Sequence, residues 1–201
     1  MNTNDLVESY GQLYSDELGI KLRKRGNEIF RWFVASVLFG APISEEAAKK
    51  AFRMLDEMKA LTPEGLIHLG WNRIVKVLDN SGYTRYDFKT ADKLLEVANS
   101  IIKLYRSSML FLMESCVSQQ ELEEKLRSLG KGIGPTTVSI FFRDISTIWK
   151  IKCRYSKKAL ETAATLGIKL DKYNPFLETA LIRYAHAHRS KKRNGDFHAK
   201  V

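Results

Sequence analysis

The sequence predicts an all-α protein, on three observations. Apolar residues recur at helical spacing along nearly the whole chain, and no stretch alternates as a half-buried strand does. Helix-start signatures repeat: Ser44 stands before Glu45-Glu46, and Thr62 stands before Pro63-Glu64. Gly26, Gly40, Pro42 and Gly82 fall between the periodic segments, where chain reversals are needed.

Taken in order, Leu6 to Leu22 reads as one or two N-terminal helices that end in a basic run and are broken by Gly26. Glu28 to Phe39 is the most apolar segment and is expected to run through the core, which makes Trp32, Phe33 and Phe39 core residues first. Ser44 to Leu55 and the segment after Thr62 each open with a capping residue and acids in the first turn, where they complement the helix dipole. Leu66 to Leu78 predicts one or two short helices, and Asn80-Ser81-Gly82 a turn. An aromatic-rich loop from Tyr83 to Phe88 then leads into a helix through Leu95, and further helices cover Ile101–Met113 and Leu122–Leu129.

A chain of 201 residues with 44% hydrophobic content has room for a real core, in one domain or two small lobes. No run approaches the ~20 apolar residues of a membrane span. Met1 to Leu6 has neither the basic start nor the apolar core of a signal peptide, so a cytosolic protein that does not enter a membrane is expected. Cys116 and Cys153 stand alone, and His186 and His188 lack the i, i+4 pairing of a helical ligand set, so neither a metal nor another cofactor is predicted.

Charge is distributed unevenly along the chain. The net charge is +10, yet residues 1–149 hold 20 Lys/Arg against 19 Asp/Glu while residues 150–201 hold 13 against 4. Such an excess suits a polyanion. The segment from His186 to Arg193 reads either as part of that contact or as a solvated tail, and the domain is expected to end near residue 185 with 186–201 as a flexible basic extension.

The segment from Leu129 to Asp144 carries the most information. Gly130, Gly132 and Gly134 alternate with Lys131 and Ile133, and Pro135 opens an apolar-periodic helix whose first turn holds Thr136 and Thr137. Glycine allows positive φ and close backbone approach, and the unpaired amides of a helix N-terminus favour an anion. Preceded by the leucine-periodic Glu121–Leu129, this makes helix, Gly-x-Gly-x-Gly hairpin, helix. Two readings follow: a phosphate-gripping element, or an αα-hairpin whose glycines let two helices pack closely.

This element resembles the helix-hairpin-helix of the endonuclease III-like DNA glycosylase superfamily. The order of the flanking segments is similar too, from the core helix ending Leu38-Phe39-Gly40-Ala41-Pro42 to Gly82-Tyr83 and Lys89-Thr90-Ala91 ahead of the hairpin. The resemblance implies a two-lobed helical fold over residues 1–185, here without an iron–sulfur cluster, and a monomer that binds double-stranded DNA by its phosphates. It implies that Gly130, Lys131, Gly132, Ile133, Gly134, Thr136 and Thr137 belong to the DNA contact. Lys150, Lys152 and Arg154 are the neighbouring cations expected to neutralise phosphates.

The chemistry departs from the family pattern. Thr136 stands where strand-cutting members carry a lysine, and threonine forms no imine. Arg154 stands where the family aspartate falls by counting, and a cation does not stabilise a developing cation. Asp144 is then the candidate catalytic carboxylate, read alternatively as a helix-end acid bound to Arg143 or backbone, with Asp87 second. Tyr83, Tyr86 and Trp149 are the aromatics that would stack on an extruded base if they reach the surface. Three functions follow: a base excision glycosylase without lysine-dependent strand cleavage, a non-catalytic DNA damage or structure binder of the same fold, and a helical protein-interaction module.

Overall fold

The capping and periodicity signals condense into helices in the computed structural model, which describes residues 2–24 and 27–195. They are α1 (Thr3–Tyr10), α2 (Tyr14–Glu17), α3 (Glu28–Phe39), α4 (Glu45–Glu57), α5 (Pro63–Leu69), α6 (Trp71–Ser81), α7 (Asp87–Tyr105), α8 (Met109–Glu114), α9 (Gln119–Ser128), α10 (Pro135–Ile145), α11 (Lys157–Leu166) and α12 (Pro175–Gly195). There is no strand among the described residues, so the chain is all-α.

Side-chain caps start many of these helices, Asn2 among them at α1. Ser44, Thr62, Ser108, Ser118 and Ser156 each accept a hydrogen bond from the amide three residues on, satisfying one of the orphan donors of a first turn. Two boundaries differ from the sequence expectation. The N-terminal helices stop at Tyr10 and Glu17 rather than running to Leu22: Gly11 caps α1 with its N–H on Val7 O at 2.7 Å, and Gly19 takes φ of 70° just after α2. The segment 101–113 is not one helix either. Arg106 and Ser107 take φ of 52° and 59°, and Ser108 then caps a new helix, so α7 and α8 are separate.

The chain divides into two compact units, one of residues 18–151 and one of residues 1–17 with 152–201. In the first, α3 is buried along most of its length, as its composition requires. Trp32 Nε1 donates to Phe141 O at 3.0 Å, and the Phe33 and Phe141 rings meet edge to face at 5.2 Å, tying α3 to α10. Arg31 clamps Asp56 on α4 with two bonds of 2.6 and 2.8 Å.

The second unit has its own core of Leu6, Ala159, Ala163, Leu177, Ala180 and Leu181, where α1 and α11 pack on α12. Arg183 lies 4.2 Å over the Tyr14 ring and donates to Glu17 at 2.5 Å. Residues 186–195, expected as a flexible tail, continue α12; the remainder of that expected tail, 196–201, lies outside the described residues.

Candidate nucleic-acid interface

The hairpin between α9 and α10 holds three glycines, and the backbone has a reason for two of them. A Cβ on Gly130 would stand 3.2 Å from Lys93 O and 3.3 Å from Glu96 Cβ and Val97 Cγ2, so this glycine lets the hairpin seat on α7. Gly132 has φ of +85°, which L side chains rarely adopt. Gly134 has ordinary extended backbone (φ −102°, ψ 178°) and nothing within 4 Å of where a Cβ would be. The fold requires Gly130 and Gly132, but it makes no such demand at Gly134.

The N–H of Ile133 bonds Gly130 O at 3.1 Å, closing the turn, and the N–H of Lys131 donates to Glu96 Oε2 at 2.5 Å. Val138 N–H reaches back to Gly134 O at 3.2 Å. Apart from that of the buried Gly130, the amides here that find no acceptor among the described residues are those of Gly132, Gly134, Thr136 and Thr137, and α10 has no side-chain N-cap. Four donors thus cluster at the tip of a hairpin whose Lys131 side chain is exposed, in the arrangement that favours an anion.

Lys93 is the cation that sequence reading missed. Its Cε and Nζ would lie 3.3 and 3.6 Å from a Cβ on Gly132, so the amine lies against the hairpin, and its burial there pushes its pKa below the usual lysine value. The signal was available in the helical register of α7, where Lys93, Glu96, Val97 and Ser100 at i, i+3, i+4 and i+7 share the face turned to the hairpin. Ser100 Oγ donates to Leu129 O at 2.9 Å on that same face. Beside it, Asn99, Lys103, Ser128 and Gly130 line an open groove of about 430 Å³.

Several expected site residues fall elsewhere. Thr137 is 3% exposed, and its Oγ1 lies where a Cβ on Gly40 would be, so its side chain packs against α3 rather than facing solvent. Ile133 is buried under the hairpin, whereas Thr136 is exposed. Tyr83 is fully buried with its hydroxyl donating to Leu38 O at 2.6 Å, and burial drives its pKa far up, so it is a core residue and not a base contact. Tyr86 is half-buried at the start of α7. Trp149 is half-buried beneath Lys24, whose ammonium sits 4.5 Å from its ring centroid.

Asp144 is fully buried, and its Oδ1 accepts from Arg143 Nε at 2.7 Å. That geometry matches a structural ion pair inside α10, with the carboxylate engaged where no solvent reaches it. Asp87 spends one oxygen on the Phe88 N–H at 2.8 Å, a first-turn interaction of α7. Lys150 is exposed in the unit that holds the hairpin, whereas Lys152 and Arg154, also exposed, belong to the other unit. No group of three or more His, Cys, Asp or Glu able to hold a metal occurs among the described residues, and none of the helices is long and apolar enough to cross a membrane.

Comparison of the chain with protein-family models, with curated proteins and with solved structures gave no match.

Proposed function

We propose that this protein binds double-stranded DNA through its phosphate backbone, with the α9–α10 hairpin as the grip, and that it serves base excision repair as a binder of damaged or distorted DNA. The observation that carries this reading is the cluster of four unsatisfied amides at an exposed hairpin with a glycine, Gly134, that the fold does not need. A phosphate fits that position because it accepts from several amides at once and tolerates no Cβ between itself and the backbone. Lys131 and Lys93 bring two positive charges to the same place, against the one carboxylate, Glu96, that accepts from the Lys131 amide.

Between the glycosylase and the non-catalytic form of this function, the geometry favours the second. Thr136 offers no amine, and Asp144 is engaged with Arg143 inside the protein. A glycosylase needs a carboxylate able to reach a sugar.

Gly134→Asp separates fold from binding. Aspartate suits an N-cap with this backbone and is expected to leave α10 as stable or more so, while its carboxylate occupies the phosphate position and repels the backbone. Duplex affinity is expected to fall at least tenfold for Gly134→Asp and severalfold for Lys131→Ala, measured by anisotropy at fixed salt. Unchanged duplex affinity in a folded Gly134→Asp protein would sink the reading. Base release from any of a panel of single-lesion duplexes, retained without Asp144, would restore the catalytic form.

A further inference from the structure

Two aromatic rings that the hairpin does not use stand exposed on the same unit. Trp71, the first residue of α6, is 37% exposed, and Phe88, in the first turn of α7, is 57% exposed. Their centroids lie 5.3 Å apart with planes tilted by 35°, and Trp71 Nε1 donates to Asp92 Oδ1 at 2.7 Å, which fixes the indole in place. Single exposed apolar residues are ordinary, but a paired, oriented aromatic surface is not accounted for by packing alone.

The surroundings identify the occupant. Arg85 and Lys89 lie three residues before and one after Phe88, are exposed, and make no ion pair among the described residues, while the two acids on the same surface are engaged locally, Asp87 by the Phe88 N–H and Asp92 by the Trp71 indole. From Phe88 the exposed face of α7 continues through Lys89 and Asp92 to Lys93 and Glu96, the two side chains that meet the hairpin. Phe88 and Glu96 are eight residues apart, which is about 12 Å along the helix and about 80° around it. Cations beside an oriented aromatic surface are the pattern of single-stranded nucleic-acid contacts, in which bases stack on rings while cations follow the backbone.

We propose that Trp71 and Phe88 form a stacking platform for an unpaired nucleobase of the DNA whose backbone the hairpin grips. The proposal rests on the hairpin reading for its ligand and specifies the structure it selects: duplex carrying an unstacked nucleotide over intact duplex. The indole and phenyl faces take any base, because every base has a π face, so the preference is for the unpaired state and not for one sequence.

The test measures anisotropy of an intact duplex and of the same duplex with one unpaired nucleotide, on wild type, Trp71→Ala, Phe88→Ala, Phe88→Tyr and Gly134→Asp. Wild type is expected to favour the unpaired nucleotide by about tenfold, a typical stacking contribution. Each alanine variant is expected to erase that preference while binding intact duplex within twofold of wild type, and Phe88→Tyr to keep it. Trp71→Leu and Phe88→Leu serve if an alanine variant does not fold. Absence of a preference in wild type, or its survival in both alanine variants, overturns the platform. A dimer in wild type that Trp71→Ala dissociates, with DNA binding unaltered, also overturns it and assigns the rings to a second copy of the chain. Gly134→Asp judges the hairpin separately: unchanged binding there overturns the grip, and the platform then stands or falls on the alanine variants alone.

Discussion

Gly132 sits at φ +85° with Lys93 across from it, and Gly134 sits in extended backbone with open space beyond. The two substitutions to alanine are therefore expected to diverge. Gly132→Ala should lose about 1–2 kcal/mol, the cost of holding an L residue in left-handed backbone, and Gly134→Ala should be within ~0.5 kcal/mol of wild type. Chemical denaturation of both variants checks this. At Gly40 the cost comes from a neighbour instead. A Cβ there would lie 2.4 Å from Thr137 Oγ1, so Gly40→Ala is expected to destabilise by about 1–3 kcal/mol, and by clearly less in a Thr137→Ala background. Asp144→Ala leaves Arg143 without its buried carboxylate and is expected to lose about 3–5 kcal/mol, read as a lowered midpoint with no specific effect on DNA binding beyond that loss. Alternation of glycines was plain in the sequence at these positions. What each glycine answers to was not, because Gly130 and Gly132 meet α7 and Gly40 meets Thr137 of α10, parts of the chain far away in sequence.

Among the elements, α9 has the most explicit electrostatic design. Lys125 Nζ pairs with Glu121 Oε1 at 2.9 Å one turn on, and the Val117 N–H donates to Glu121 Oε2 at 2.8 Å, just ahead of the Ser118 cap. The bond from Lys125 and then the bond from Val117 hold the Glu121 carboxyl below its ordinary pKa of 4.5. A carboxyl depressed in the folded state stabilises fully above its unfolded pKa and loses that contribution as pH falls through the folded pKa. The stability of wild type is thus expected to fall more steeply below pH 4.5 than that of Glu121→Gln, whose α9 start no longer titrates; parallel curves across that range would count against the contact. The starts of α4 and α5 were legible because their caps are local, a side chain bonding an amide three residues on, whereas the caps Ser108, Ser118 and Ser156 were not read from the sequence. The break between α7 and α8 was hidden, since it lies at Arg106 and Ser107, which take positive φ without being glycine.

At the scale of the whole molecule, the charge asymmetry changes meaning once the chain folds. Along the sequence the excess lies after residue 149, but residues 1–17 join 152–201 in one unit and bring their acids with them. That unit then holds 12 Lys/Arg against 8 Asp/Glu, and residues 18–151 hold 21 against 15. The hairpin unit is therefore itself cationic. As a continuous segment with its own buried core around α3, residues 18–151 are expected to fold cooperatively as a separate polypeptide and to keep most of the salt dependence of duplex binding. On a plot of log affinity against log salt, Lys131→Ala should make the slope shallower by about one, corresponding to one fewer neutralised phosphate. An unaltered slope would remove Lys131 from the interface.

The sequence by itself determined the helical class, the caps of α4 and α5, the apolar α3 and the glycine pattern of the hairpin, since each depends on residues within a few positions of one another. Only the tertiary structure decided which chemistry reaches solvent. Tyr83 and Asp144 look available in sequence and are fully buried, while Trp71 and Phe88, seventeen residues apart, meet on the surface. Exposure depends on which helix faces cover one another, and in this protein those faces come from segments far apart in the chain, such as α3 against α10 and α7 against the hairpin.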